Sequence, residues 1–148
     1  MKSLSNDKST SGFTLIELLI VLTVIGILAA IVIPNLLTAL SKSRQTATAT
    51  LLRSYGTALD LYKLDHNIYP QVSTIAEVQP LLLPYSATLR LQDDWRNDLA
   101  YTSGDAESYS VESYGSDGID GANVTPETRY IFTLDIVYSN GHFTSKLE

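Results

Sequence analysis

The chain has 148 residues, 45% hydrophobic and 18% charged, with a formal net charge of −6, two histidines and no cysteine. That composition excludes a disulfide framework and any cysteine-held metal, and it argues against a phosphate-binding surface, which needs clustered Lys and Arg. With no G-x-S-x-G, P-loop or H-E-x-x-H spacing either, no enzyme and no nucleic-acid partner is expected.

The first twelve residues are short and polar, with Lys2 and Lys8 against Asp7, and end in Ser11-Gly12. Phe13 to Ile33 then forms a run of 21 residues in which only Thr14, Glu17 and Thr23 are clearly polar. A bilayer core needs about 20 apolar residues, so this run is long enough to span one. It is longer than a secretory h-region of about 7–15 residues, and no small-x-small cleavage site follows it. Glu17 is the anomaly. A carboxylate in such a segment costs roughly 2.5–3.5 kcal/mol near the centre and less toward an end, so it calls for a partner. Lysines 2 and 8 before the run are matched by Lys42 and Arg44 after it, so positive charge alone does not orient the span.

Gly12-Phe13-Thr14-Leu15-Ile16-Glu17-Leu18 resembles the prepilin signature of type IV pilins and type II secretion pseudopilins. The resemblance implies that residues 1–12 are a leader. A prepilin peptidase would cut between Gly12 and Phe13 on the cytoplasmic face, methylate the new amine and leave the helix in place. Glu17 then becomes the fifth residue of the mature chain, where family members are thought to pair it with the terminal amine of a neighbouring subunit. The physics agrees, since an acid and an amine in lipid neutralise each other better than either stands alone. Pro34 also falls where the family commonly has a proline. The implied setting is a single-pass inner-membrane protein with a cytoplasmic N-terminus and a periplasmic head. It would self-assemble into a helical filament with an inner-membrane assembly platform and minor pseudopilins. A plain anchor with an incidental acid is the bland alternative.

Beyond the span (13–34), residues 35–65 read as an amphipathic stalk helix. Ala47, Leu51, Tyr55, Ala58 and Tyr62 recur at steps of three and four beside Leu52 and Leu59, with Arg44, Thr48, Arg53 and Asp60 at polar positions. Pro34 is expected to kink the helix. A continuous helix from Phe13 to Asp65 would be roughly 80 Å long. It should end near His66-Asn67, since Asn tolerates a left-handed cap and Tyr69 precedes Pro70; His66 there suits the helix dipole. Ala58 to Asp65, ALDLYKLD followed by Tyr69-Pro70, is similar to the helix end of the major, G-type pseudopilins of type II secretion.

Residues 66–148 read as the head. Ser73 to Leu83 predicts a short helix with Ser73 or Thr74 as N-cap, Glu77 in its first turn and Pro80 limiting it. Strands follow at Leu99–Tyr101, Ser108–Tyr114 and Tyr130–Tyr138, the last with Phe132, Leu134, Ile136 and Tyr138 on one face. Asn140-Gly141 marks a hairpin into His142-Phe143-Thr144. Trp95 is expected in the core and His142 at the surface. The fold class is α+β: a long N-terminal helix whose C-terminal half packs against a small antiparallel sheet of three or four strands, a pilin-like arrangement.

The head holds 12 Asp or Glu against four Lys or Arg, and repulsion of that size destabilises a small domain unless cations bind. Ser113 to Gly121 is rich in carboxylates and glycines, which suits calcium's six to eight oxygen ligands. It is no EF-hand, because Ile119 stands where a third ligand would be needed. The segment resembles the SLGADG loop of G-type pseudopilins, which bind calcium there. The resemblance implies Asp117 and the Tyr114 carbonyl as ligands, with Asp120 nearby and Asp135-Ile136 matching a later Asp-Ile. Asp94-Trp95-Arg96-Asn97 likewise looks like the family's Asp-Pro-Trp-Gly-Asn, with Asp for Pro and Arg for Gly. The family's acids and glycines before its Asp-Ile are missing here, where Asn123 to Thr133 has only Glu127 acidic. Two tight turns on a solvated surface are the other reading. The functional expectation is a structural subunit of a type II secretion pseudopilus, the alternative a type IV pilin of a surface fibre for adhesion or twitching. A membrane-anchored enzyme or binding domain would need a polar pocket that no residues here foreshadow.

Overall fold

The computed structural model describes residues 12–121, 123–125, 127–128 and 131–144. The leader before Gly12, and Tyr130 at the start of one predicted strand, lie outside them. The chain divides into two units, Met1–Thr38 and Ala39–Glu148.

Helix α1 runs Leu15–His66, 52 residues with Pro34 inside it. In the first unit its apolar side chains are uncovered, Leu15 at 88% exposure, and the segment is apolar and long enough for a single-pass membrane anchor. Its polar groups are satisfied within the helix. Thr23 Oγ1 donates to the Leu19 carbonyl at 2.8 Å, Asn35 Nδ2 to Ile31 at 3.1 Å and Thr38 Oγ1 to Pro34 at 3.1 Å. Such back-bonding to the preceding turn is what a segment without water around it requires.

In the second unit α1 buries Gln45, Thr48, Leu51, Leu52, Tyr55, Gly56, Ala58 and Leu59. The face is therefore rotated from the sequence expectation at its upper end. Ala47 is exposed, whereas Thr48 is buried because its hydroxyl accepts the Asp94 N–H at 3.2 Å. Buried Leu52, Tyr55 and Leu59 contribute roughly 1.5–3 kcal/mol each. Tyr55 also uses its polar end, donating to the Arg90 carbonyl at 3.0 Å. The helix ends as expected: Asn67 takes φ +61 and its N–H bonds the Lys63 carbonyl at 2.7 Å.

Helix α2 is Ile75–Leu82, capped by Thr74 in a full capping box with Glu77, with Pro80 inside. Strands β1 (Ala100–Asp105), β2 (Ser108–Ser113), β3 (Ile136–Ser139) and β4 (His142–Phe143) form one antiparallel sheet in chain order. The core joins α1 residues from Leu51 to Leu59 to Ile75, Val78 and Leu82 of α2 and to Tyr101, Tyr109, Val111, Ile136 and Tyr138 of the sheet, with Trp95 half-buried against it. Asn140 and Gly141 have φ +49 and +87, the paired left-handed residues of a tight hairpin turn, and His142 is exposed.

One strand is shorter than its pattern predicts. Among the described residues only Ile136–Ser139 pairs with β2 on this side. Phe132 and Leu134 lie before it in a turn whose carbonyls face Gly115, with Ser116 N–H on the Phe132 carbonyl at 2.7 Å. The alternation of Phe132 and Leu134 with Ile136 is real, but the backbone bonds of that stretch go to a loop instead of a ladder.

Candidate assembly terminus and candidate cation site

Thr14 and Glu17 close the start of α1. The Glu17 N–H donates to Thr14 Oγ1 at 3.3 Å, and Glu17 Oε2 accepts from Thr14 N–H at 2.9 Å and Thr14 Oγ1 at 2.7 Å. This is the reciprocal pattern of a capping box. The T-x-x-E spacing signals it in the sequence, where Glu17 had stood out only as an isolated acid. Both residues are exposed. Two donors occupy one carboxylate oxygen out of about four acceptor positions on the group, so a further cation can still bond it. Phe13 is exposed at the head of this turn, and a Cβ on Gly12 would meet nothing within 4 Å among the described residues. Packing against the described residues therefore does not require glycine at position 12. Pro34 sits inside α1 among exposed residues.

In the head, the described residues bring together Glu112, Asp120 and Asp135, one carboxylate oxygen of each within 4.8 Å of the others. Asp135 is fully buried. Its Oδ2 accepts the Gly121 N–H at 2.7 Å, while its Oδ1 is buried without a partner among the described residues. An orphaned carboxylate oxygen is expensive unless something else bonds it. Burial pushes the Asp135 carboxyl up, the Gly121 N–H opposes that, and the charges of Asp120 and Asp117 add to the rise. Burial also raises Glu112, helped by Asp135 and Asp120. The Tyr114 hydroxyl is raised by burial and then by Glu112, Asp120 and Asp135, so its ring lies in the field of the same trio.

Asp117 stands outside the trio and is exposed, its Oδ1 accepting the Ile119 N–H at 3.2 Å. That is the tight-turn geometry of an Asx turn. The Tyr114 carbonyl accepts Gly118 N–H at 3.2 Å. Of the four residues proposed from sequence, the structure thus brings Asp120 and Asp135 together, leaves Asp117 outside the trio, and has the Tyr114 carbonyl, the expected ligand, accepting the Gly118 N–H. Glu112 was missed because it reads as a solvent-side residue of an alternating strand; only the pairing of β2 with β3 brings it to Asp135.

A second set of bonds holds this loop in shape. Asp93, nearly fully buried, accepts the N–H groups of Trp95 and Asn97 at 2.9 Å each on Oδ1, and the Ser113 hydroxyl at 2.7 Å on Oδ2. Asn97 Nδ2 in turn donates to the Gly115 carbonyl at 2.7 Å. Gly115 has φ +62, and a Cβ there would lie 2.8 Å from the carbonyls of Phe132 and Leu134. Both conformation and space demand glycine.

A membrane-length apolar helix with a capped acid at its start, continuous in sequence with an α+β head, defines a pilin-like subunit. A family model for the prokaryotic N-terminal methylation motif matches residues 7–33, and one for type II secretion system protein G matches residues 35–128. A type II secretion system core protein G of Vibrio cholerae is 33% identical over 129 residues, covering 80% of this chain and 88% of its own length. Those of Escherichia coli and Pectobacterium carotovorum are 33% and 35% identical, covering 72% and 74% of this chain and 82% and 78% of theirs. The chain belongs to the type II secretion system protein G family, a family of structural pseudopilin subunits.

Proposed function

We propose that this chain is the repeating subunit of a type II secretion pseudopilus. A prepilin peptidase removes residues 1–12 at the cytoplasmic face and methylates Phe13. The subunit waits in the inner membrane with its head in the periplasm, and the assembly platform draws it, with minor pseudopilins as partners, into a filament. Growth of that filament helps move folded proteins across the outer membrane.

The observation that carries this reading is the uncovered apolar surface of α1 from Leu15 to Leu37 with one capped carboxylate at its head. Exposure on that scale has no place in water; lipid covers it before assembly and neighbouring copies cover it afterwards. The Glu17 carboxylate, its Oε2 held by Thr14, offers the amine of a neighbouring Phe13 its other oxygen as acceptor in a medium without competing water. The pair contributes register, since the amine of one copy is satisfied only where the next copy presents Glu17.

We extend the proposal to a calcium ion in the head. The donor set fits: hard carboxylate oxygens, a buried Asp135 Oδ1 without a partner, and a glycine-rich loop. Asp120 and Asp135 would hold the ion, with the Tyr114 carbonyl and Asp117 at its edge. Calcium would supply the positive charge that the loop lacks and tie residues 114–121 to the start of β3.

The test is deletion of the gene, scored for secreted proteins in the medium and for surface fibres. Substrates trapped in the periplasm with fibres intact support the pseudopilus. Normal secretion with lost fibres or twitching would move the chain to the surface-fibre pilins.

A further inference from the structure

Strand register places Glu112 opposite Val137 and Ser113 opposite Ile136. Side chains alternate across a strand, so Asp135 shares a sheet face with Val137 and is the diagonal neighbour of Glu112. Diagonal pairs lie about 7–8 Å apart at Cα, within reach of a long side chain. Glu112 makes use of that reach, its carboxylate coming within 4.8 Å of both Asp135 and Asp120. Two oxygens bound to one calcium at 2.3–2.6 Å can be no more than about 5 Å apart, and all three pairs meet that limit. Asp135 Oδ1, buried and unpartnered, is the second sign that the cluster is built around a cation and is not merely a set of solvated acids.

We infer that Glu112 is the third carboxylate of a divalent-cation site, so that the ion is anchored in the sheet itself and not only in the 114–121 loop. The inference rests on the calcium reading above and departs from the resemblance, which would give the role to Asp117. Strand β2 supplies Glu112, the loop supplies Asp120 and the lead-in to β3 supplies Asp135. A cation bound there cross-links the two central strands to the loop. The physical signature is a sign inversion. Without the ion Glu112 adds like-charge repulsion to two other carboxylates, so neutralising it relieves strain. With the ion bound, neutralising it removes a ligand and a charge.

The experiment uses the full chain in dodecyl maltoside micelles. Calcium affinity is measured by isothermal titration, and thermal melting is followed with calcium and with EGTA. For Glu112→Gln we expect a tenfold or greater loss of affinity, melting in EGTA at or above the unaltered chain, and melting in calcium below it. Asp117→Asn should change affinity by less than about threefold, as ligand charge count sets calcium affinity and this residue is outside the trio. Unchanged affinity in Glu112→Gln, or lower melting under both conditions with affinity retained, would overturn the role of Glu112 while leaving calcium binding intact. A larger loss in Asp117→Asn than in Glu112→Gln overturns it too. If the unaltered chain takes up no calcium, the calcium reading itself fails and Glu112 with it.

Discussion

From Leu15 to Leu37 the apolar side chains of α1 point outward with no described residue over them, and the polar ones fold back onto their own helix. From Gln45 to Leu59 the apolar face is instead covered by α2 and the sheet. Two buried polar groups bond other segments there, Thr48 to Asp94 and Tyr55 to Arg90, while the hydroxyls of Thr50, Ser54 and Thr57 still fold back onto the helix. The same backbone geometry serves two solvation problems. Burial in the second unit is intramolecular, so its defects should appear in melting. Burial in the first must come from lipid and from other copies, so its defects should appear in processing and assembly with the head unharmed.

Changes at the terminus should break that division most sharply. Gly12→Leu should leave unprocessed precursor in the membrane, because the proposed cut lies beside position 12 while no described residue packs there. A product of mature size on an immunoblot would refute the cut site. Glu17→Ala should be processed normally yet fail to polymerise. Breaking a pair in an apolar medium costs about 3–5 kcal/mol, and a filament repeats the loss at every subunit. Head melting should not move in either variant. Filaments of normal length from Glu17→Ala would remove the amine partner from the account.

Gly56→Ala should do the opposite, sparing processing and destabilising the head. Alanine in a helix interior normally gains about 1 kcal/mol over glycine. Here the added Cβ would run into the Tyr138 ring and sit 3.0 Å from the Tyr109 hydroxyl. Tyr138 cannot move aside freely, since Phe143 packs edge-on against it at 4.8 Å. Overpacking of this kind costs about 1–3 kcal/mol, so a net loss of up to about 2 kcal/mol is expected by thermal melting. Combining it with Tyr138→Leu should recover part of the loss; a stabilised single variant would show that the ring yields.

The head's tyrosines sharpen the same contrast, since the membrane segment has none. Burial pushes Tyr55, Tyr69 and Tyr101 up to about 12, with Asp60 adding to the effect at Tyr69, and burial raises Tyr109 as well. An unfolded tyrosine titrates near 10. Their contribution to stability is thus fully present below about pH 10 and is lost as pH climbs toward 12. Absorbance at 295 nm should show the exposed phenols ionising first. The rest should follow in one step that coincides with loss of tertiary circular dichroism, while α1 signal from the membrane segment persists. A single smooth titration near pH 10 with the fold intact would contradict the burial.

Much of this was legible in the residues because it is local. The apolar run, the caps at Thr74 and Asn67, and the Asn140-Gly141 hairpin are each set by a few neighbouring positions. What was misread depends on partners distant in sequence. Phe132 and Leu134 alternate like a strand, but their carbonyls face the Gly115 turn, where Phe132 accepts the Ser116 N–H. Thr48 looks like a solvent position until Asp94 arrives to bond it. Glu112 becomes a ligand candidate only through the register of β2 against β3. Asp93, which organises the loop through Asn97 and Ser113, gave no signal beyond being one of two adjacent acids.

Arg96 gives the smallest effect and a clean sign. It has φ +73 in the turn closed by its N–H to the Asp93 carbonyl at 3.2 Å, at the position where the resembling segment carries glycine. A side chain in the left-handed region costs roughly 1–2 kcal/mol, so Arg96→Gly relieves that much. Against it, glycine loses more conformational freedom on folding, about 0.5–1 kcal/mol. Arg96 is exposed, so little packing is lost in the exchange. The balance favours the variant by about 0.5–1 kcal/mol, a rise of a few degrees in melting. Arg96→Ala keeps the strained conformation and should gain nothing. If the two variants melt alike, the strain is not there and the arginine contributes through its side chain instead.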